Sequence, residues 1–95
     1  MDRTWGVSQT PEFKSSLPFG DAPLMEALRR AQLRVQANPL IGDPKTGRYR
    51  GYRSIHVKDH WVLAWKLVPP IFHASNLPKL ELVVFAFFGH HDAWA

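Results

Sequence analysis

The stretch YRSIHVKDHWVLAWKL (residues 52–67) decides the fold class of this chain. Its alternation of apolar and polar residues is typical of two strands that each bury one face, joined by a tight turn near residues 58–60. Directly opposed residues of an antiparallel pair share a face. We therefore predict a three-residue loop that pairs Val57 with Trp61, because a two-residue loop would pair Val57 with His60 and mix the faces. The apolar face then carries Ile55, Val57, Trp61, Leu63, Trp65 and Leu67, and the other face presents Tyr52, Ser54, His56 and Lys66.

The segment before this hairpin has a helical period. RTWGVSQ (residues 3–9) alternates enough to predict a short strand, and Thr10 followed by a proline marks the start of a short helix. Pro18 and Gly20 break that helix. Asp21 then begins a longer amphipathic helix, which we predict over Ala22–Ala37. Its apolar face carries Leu24, Leu28, Ala31 and Val35.

The segment after the hairpin contains one more strand. VPPIFHASNLPK (residues 68–79) has three prolines and predicts an irregular loop. LELVVFAFF (residues 80–88) is apolar on both sides, which is typical of a strand buried on both faces. Together the elements predict a two-layer α+β fold, with N-terminal helices packed on a small antiparallel sheet, in one domain over residues 1–95.

Composition limits the classes of protein to consider. The formal net charge of +4 and a pI near 9.9 favour an acidic partner such as nucleic acid or an acidic protein. The sequence contains no cysteine, so it has no disulfide framework and a reducing cytoplasm is permitted. We expect no signal peptide and no membrane span, because the longest apolar run is far shorter than about 20 residues. The nucleotide-binding glycine motifs and Gly-x-Ser-x-Gly are also missing.

The segment DPKTGRYRGYR (residues 43–53) combines cations with aromatic rings. Cations neutralise phosphates, and aromatic rings and guanidinium planes stack on unpaired bases, so this composition suits single-stranded RNA. The alternative is a solvated hairpin with ordinary surface charges. The candidate RNA-contacting residues are Lys45, Arg48, Arg50 and Arg53 with Tyr49 and Tyr52.

Histidine is the other candidate chemistry. Its side chain titrates near neutral pH, so two histidines across a phosphodiester can act as general base and general acid. His56 stands on the polar face of its strand, although a lone strand histidine is more often structural than catalytic. A metal site is the competing use, and we expect none. Neighbouring strand residues such as His90 and His91 point to opposite faces unless the chain turns there, and Asp92 is the only obvious carboxylate partner. The full set is His56, His60, His73, His90 and His91.

The order of these motifs resembles a known family. GYRSIHVKDHWVLAWKL, then a gap, then LELVVFAFFGHHDAW is similar to the RelE/ParE superfamily of type II toxins, closest to its YafQ-like mRNA interferases. The resemblance covers roughly residues 40–94. It implies a cytoplasmic toxin held inactive by a cognate antitoxin in a hetero-oligomer. When free, such a toxin cuts mRNA in the ribosomal A site, without a metal or other cofactor.

The resemblance also assigns roles to residues. His56 falls on the family's general base, and the general acid falls on His91 or His90, depending on whether the Gly-x-His spacing or the terminal aromatic is aligned. Trp94 corresponds to that aromatic, which stacks on a base. The substrate-binding cations are Arg53 and Lys66, extended by Arg48 and Arg50.

The sequence departs from the family at three places. His60 stands where the family has an aspartate, so it either replaces that residue's role or removes it. The loop at residues 68–79 is longer than usual, and the first helix is shorter. The runner-up hypotheses are therefore a ParE-like, gyrase-directed toxin or an inactive binding relative of the same fold. A general RNA-binding domain without catalysis is the third.

Overall fold

The computed structural model describes residues 6–68 and 82–94. Its architecture is α+β, as predicted: helices pack on a five-stranded, mostly antiparallel sheet with strand order β1-β5-β4-β3-β2. Among the strands of the described residues, β1 and β5 form the single parallel pair, and the other pairs are antiparallel. The strands are β1 (Gly6–Gln9), β2 (Asp43–Pro44), β3 (Tyr52–Lys58), β4 (Trp61–Val68) and β5 (Leu82–His90); the helices are α1 (Pro11–Ser15), α2 (Ala22–Ala37) and α3 (His91–Trp94), with a 3₁₀ turn at Gly47–Tyr49.

Both predicted helix starts are confirmed by their caps. The Thr10 hydroxyl oxygen accepts the Phe13 N–H at 3.1 Å, and the same hydroxyl donates to the Ala86 carbonyl, which ties α1 to β5. An Asp21 carboxylate oxygen accepts the Leu24 N–H at 3.1 Å. These bonds satisfy backbone donors that a helix leaves unpaired at its N-terminus. Helix α2 has the predicted bounds, Ala22–Ala37.

The main core lies between α2 and one face of the sheet, here called the helix face. Trp65 and Phe85 are buried on it, and Phe13 of α1 stacks on Phe85 with ring centroids 5.7 Å apart. The four predicted apolar residues of α2 are all buried in the same cluster. None of the helices within the described ranges is long and apolar enough to cross a membrane.

The β3–β4 hairpin has the predicted register but a different turn. Ser54 pairs with Ala64 and His56 with Val62, so residues of like parity share a face. The three-residue loop was wrong: Lys58 pairs with Trp61, and only two residues form the turn. A bulge at Val57 absorbs the extra residue. Because of the bulge, the turn is one residue shorter than predicted, while the residues of β3 before the bulge still keep their apolar side chains on the helix face.

A second bulge lies in β5. Ala64 pairs with Phe87 but Trp65 pairs with Phe85, so Ala86 is skipped. As a result Phe85 and Phe88 both bury on the helix face, although they differ in parity. Phe87 packs on the opposite face, here defined by Tyr52, Ser54, His56, Val62, Ala64 and Lys66. The strand runs two residues past its predicted end. Val68, predicted as the first residue of the loop at residues 68–79, belongs to β4, and the rest of that loop, with His73, lies outside the described residues.

Candidate functional site: a histidine cluster at the end of the sheet

Four of the five histidines meet at one end of the sheet, and they form the histidine cluster of His56, His60, His90 and His91. His60 belongs to the β3–β4 turn, and its ring centroid lies 5.5 Å from that of His90 and 5.4 Å from that of His91. The His91 N–H donates to the His60 carbonyl at 2.7 Å, which anchors the end of β5 to the turn. Of the five candidate histidines, the structure thus brings together the four that lie in the described residues.

The bulge in β5 decides which terminal histidine faces His56. Beyond the bulge, Gly89 pairs with Val62 on the opposite face, whereas His90 pairs with Trp61 on the helix face. His91, the first residue of α3, lies beside His56, with ring centroids 6.5 Å apart. His90 instead lies edge-on to the Trp61 ring at 6.3 Å. Without the bulge, His90 would fall on the same face of the sheet as His56.

Asp92 contacts both terminal histidines. Its carboxylate lies 3.4 Å from His90 Nδ1 and 3.2 Å from His91 Nε2. The Asp92 backbone N–H also points to His90 Nδ1 at 3.4 Å. All three side chains are exposed, so water screens these contacts. From the sequence, Asp92 was predicted only as a possible metal ligand; its position directly after two histidines is the signal that points to its contact with them.

Most of the predicted cations lie on the same side of the sheet as His56 or next to it. Lys66 pairs with Tyr52 across β3 and β4, and its Nζ lies 5.7 Å from the centre of the Tyr52 ring. Arg48 is exposed in the 3₁₀ turn, with its guanidinium carbon 5.2 Å from the Tyr49 ring centre. Arg50 follows that turn and is also exposed. This arrangement leaves the ends of Arg48 and Arg50 in solvent.

Arg53 lies apart from the histidines. It pairs with Trp65, which places it on the helix face. Its guanidinium donates to the carbonyls of three consecutive residues of the segment after α2, namely Leu40 at 2.7 Å, Ile41 at 2.9 Å and Gly42 at 3.3 Å. The predicted substrate contact is therefore not grouped with the site, and Arg53 instead braces this segment.

Gly42 shows how tightly that segment packs on the sheet. Its φ is +81°, and a Cβ built there would lie 2.5 Å from the Ser54 carbonyl oxygen. A side chain would therefore clash with backbone in a conformation that already favours glycine. The close approach lets the Gly42 carbonyl reach Arg53.

Arg53→Ala is expected to destabilise the fold by about 2 to 3 kcal/mol, because it leaves carbonyls without their charged donor. Thermal denaturation monitored by circular dichroism measures this loss. Arg50→Ala is the matched control, since the Arg50 side chain is exposed, and it should change the free energy of unfolding by less than about 0.5 kcal/mol. An Arg53→Ala variant as stable as Arg50→Ala would contradict the bracing role.

Trp94 is the last residue of α3, directly after the cluster. The described backbone therefore carries this aromatic residue within three positions of His91. Its role in stacking on a base stays a prediction.

The comparisons with known proteins concern the fold. No protein-family model matches the sequence, and no curated protein matches it. Solved structures do match. The YoeB/ParE toxin from Agrobacterium tumefaciens superposes with a TM-score of 0.71 at 15% identity, over 90% of this chain and 98% of that chain.

Two structures from E. coli match over nearly the whole chain. A mutant of YafQ gives a TM-score of 0.67 at 19% identity, covering 95% of this chain and 97% of that one. A DinJ–YafQ toxin–antitoxin complex gives 0.65 at 20% identity, covering 96% and 97%. At these identities the likeness establishes the fold. The chain therefore has the RelE/ParE-like toxin fold, related to that of YafQ.

Proposed function

We propose that this chain is the toxin of a type II toxin–antitoxin system and acts as a ribosome-dependent mRNA endonuclease. The observation that carries the proposal is the pair His56 and His91, whose exposed rings face each other 6.5 Å apart on the end of the sheet. The fold is that of known toxins, and the likeness in fold alone does not distinguish nucleases from other toxins.

The reaction is transesterification by the RNA itself. His56, as general base, takes the proton of a ribose 2′-hydroxyl, and the 2′-oxygen forms a bond to the adjacent phosphorus. The bond from phosphorus to the 5′-oxygen of the next nucleotide breaks, and His91, as general acid, gives that oxygen a proton. The products are a 2′,3′-cyclic phosphate and a 5′-hydroxyl, so the step needs no water and no metal.

The separation of the two rings suits this step. Each imidazole has to come within hydrogen-bond reach of an oxygen on the same phosphorus, so the two reacting nitrogens lie at most about 8 to 9 Å apart. Ring centroids 6.5 Å apart satisfy that limit, with small side-chain rotations to admit the phosphate. His60, whose ring stacks on that of His91 at 5.4 Å, holds the acid in place.

The cations supply the electrostatic part of the mechanism. Lys66 lies on the same face as His56, and Arg48 and Arg50 extend the positive surface. Cations around the phosphate stabilise the charge that develops on its oxygens in the transition state. The overall charge of +4 favours approach to the negatively charged mRNA in the ribosomal A site.

The proposed partner is a cognate antitoxin, as in the complex of YafQ with DinJ. A cleft of about 450 Å³ between α2 and the β1–β5 edge is lined by Val7, Leu33 and Arg29, among others. Leu33 is 61% exposed, and clustered exposed apolar side chains are typical of a protein-binding surface. We propose that the antitoxin covers this cleft in a cytoplasmic hetero-oligomer, with its acidic groups near Arg29.

A second candidate is a toxin of the same fold that does not cleave RNA, such as a ParE-like, gyrase-directed protein. Arg53 favours it, because the cation that the resemblance assigns to substrate is bound to backbone carbonyls. His60 in place of the family's aspartate points the same way.

Induced expression in a bacterium tests the proposal. Wild type is expected to arrest growth and to cut a reporter mRNA within its reading frame, as detected by primer extension. His91→Ala should lower cleavage at least a hundredfold, because it removes the general acid. His90→Ala is the matched control and should lower cleavage less than tenfold, since His90 packs on Trp61.

The pair of variants also separates the two candidates. Growth arrest by wild type with intact mRNA would point to the non-nuclease toxin. Equal loss of cleavage in both variants would show that the geometry does not select His91 as the acid.

A further inference from the structure

His90, His91 and Asp92 bring three metal-binding side chains together where the chain turns from β5 into α3. One ligand atom from each residue lies within 4.8 Å of those of the other two, and all three residues are exposed. Neighbouring residues point to opposite faces only while a strand continues. The strand ends at His90 and the helix begins at His91, so these two neighbouring side chains are not forced onto opposite faces of the sheet. The turn therefore lets His90 and His91 bind the same ion, which was not expected from a continuous strand.

The ligand atoms of this group lie close enough together that small side-chain rotations bring all three onto one metal ion. Donor atoms bound to a single tetrahedral Zn²⁺ lie about 3.3 Å apart, which follows from metal–ligand distances of about 2.0–2.2 Å. Asp92 Oδ2 lies 3.4 Å from His90 Nδ1, and Asp92 Oδ1 lies 3.2 Å from His91 Nε2. With one ligand atom taken from each residue, the three atoms lie within 4.8 Å of one another, so the side chains close by about 1 Å around the ion. Imidazole rings on one such ion have centroids about 5 Å apart. The centroids of His90 and His91 are 5.2 Å apart.

We infer that His90, His91 and Asp92 bind a transition-metal dication of the Zn²⁺ class. Two imidazoles and one carboxylate suit Zn²⁺, and three protein ligands leave the fourth position open for water. The exposure of the group gives a hydrated ion direct access. The ion is a ligand of the folded chain and takes no part in the cleavage step proposed above.

The consequence is inhibition, and this part rests on the proposed function. A metal ion bound through His91 Nε2 takes the lone pair that would otherwise carry the proton for the leaving oxygen. The ion also stands beside the ring that faces His56 at 6.5 Å. Zn²⁺ therefore switches the nuclease off without unfolding it.

Titration of the purified chain with Zn²⁺ in metal-free buffer tests the site, using protein without a polyhistidine tag. Isothermal titration calorimetry is expected to show one ion per chain. Asp92→Ala and His90→Ala should each weaken binding at least tenfold, since each removes one of three ligands. Asp59→Asn is the matched control: it removes an exposed carboxylate from the neighbouring β3–β4 turn, at a positive φ that asparagine tolerates, and should change the affinity less than twofold.

The calorimetric result is independent of any activity. No binding by wild type, or equal binding by wild type and both ligand variants, would overturn the site. Inhibition is measured separately, as mRNA cleavage with and without one equivalent of Zn²⁺. Wild type should lose at least tenfold of its rate, and Asp92→Ala should lose less than twofold of its own zinc-free rate. Tight binding by wild type with no loss of cleavage would overturn the inhibitory role and leave the site itself established.

Discussion

Replacing His56 with alanine is expected to lower the rate of mRNA cleavage by about 10² to 10⁴, the usual contribution of a positioned general base. The residue stands on the exposed side of β3, with its ring facing His91. Its loss leaves the 2′-hydroxyl without a proton acceptor while the cations that hold the phosphate remain. The measurement is single-turnover cleavage of an mRNA on programmed ribosomes, with each variant in excess over the ribosomes.

A control variant and a stability measurement distinguish loss of the general base from a general loss of charge or of folding. Lys58→Ala is the matched control, because Lys58 is exposed on the same strand and carries a cation without an imidazole; its rate should fall less than tenfold. The melting temperature of His56→Ala should stay close to that of wild type, since an exposed side chain contributes little to stability. Equal rates for the two variants, both folded, would show that His56 is structural.

Trp65→Ala is expected to cost the largest amount of stability of any single substitution. The side chain is fully buried in the main core, and truncation of a buried aromatic residue costs about 3 to 5 kcal/mol. The indole N–H also donates to the Pro39 carbonyl at 2.9 Å, so its removal leaves a buried acceptor unpaired. Domains of this size are stable by only about 5 to 15 kcal/mol, so much of the margin disappears.

Denaturant unfolding followed by circular dichroism measures this loss. Trp65→Phe serves where the alanine variant fails to fold: it keeps an aromatic ring in the core but lacks the N–H, and should cost about 1 to 3 kcal/mol. Trp61→Ala is the matched control, because that ring is only half-buried and stacks on Phe88 at 5.4 Å. A Trp61→Ala variant less stable than Trp65→Ala would place the centre of the core elsewhere.

The helices and the hairpin register followed from local rules. Helix α2 begins at a carboxylate cap and keeps its apolar residues at spacings of three and four, and both features depend only on neighbours along the chain. The predicted pairing of β3 with β4 was confirmed up to His56, because burial of one face of the hairpin permits a single register. The predicted three-residue loop was wrong, because a bulge at Val57 keeps the apolar side chains on one face with a loop of only two residues.

The candidate site divides in the same way. The types of residue were visible in the sequence: His56 on a polar strand face, two histidines after an apolar strand, and cations among tyrosines. The hydrogen-bond partners of Arg53 could not be predicted from the sequence, because the carbonyls that it binds come from a segment more than ten residues away along the chain. Sequence gives the chemistry of a guanidinium but not which acceptors the fold leaves within its reach.

By itself the sequence determined the α+β class, the bounds of α2, the faces of the hairpin and the histidines as the candidate chemistry. Only the tertiary structure decided that His91 rather than His90 faces His56, and that Asp92 joins the two. The physical reason is the bulge at Ala86: burying both Phe85 and Phe88 on the helix face forces one extra residue into β5, which exchanges the faces of the strand residues after it and so sets the side from which the chain turns into α3. The position of the bulge depends on the pairing of β5 with β4 and on the core that they cover, and neither can be predicted from the residues of β5 alone.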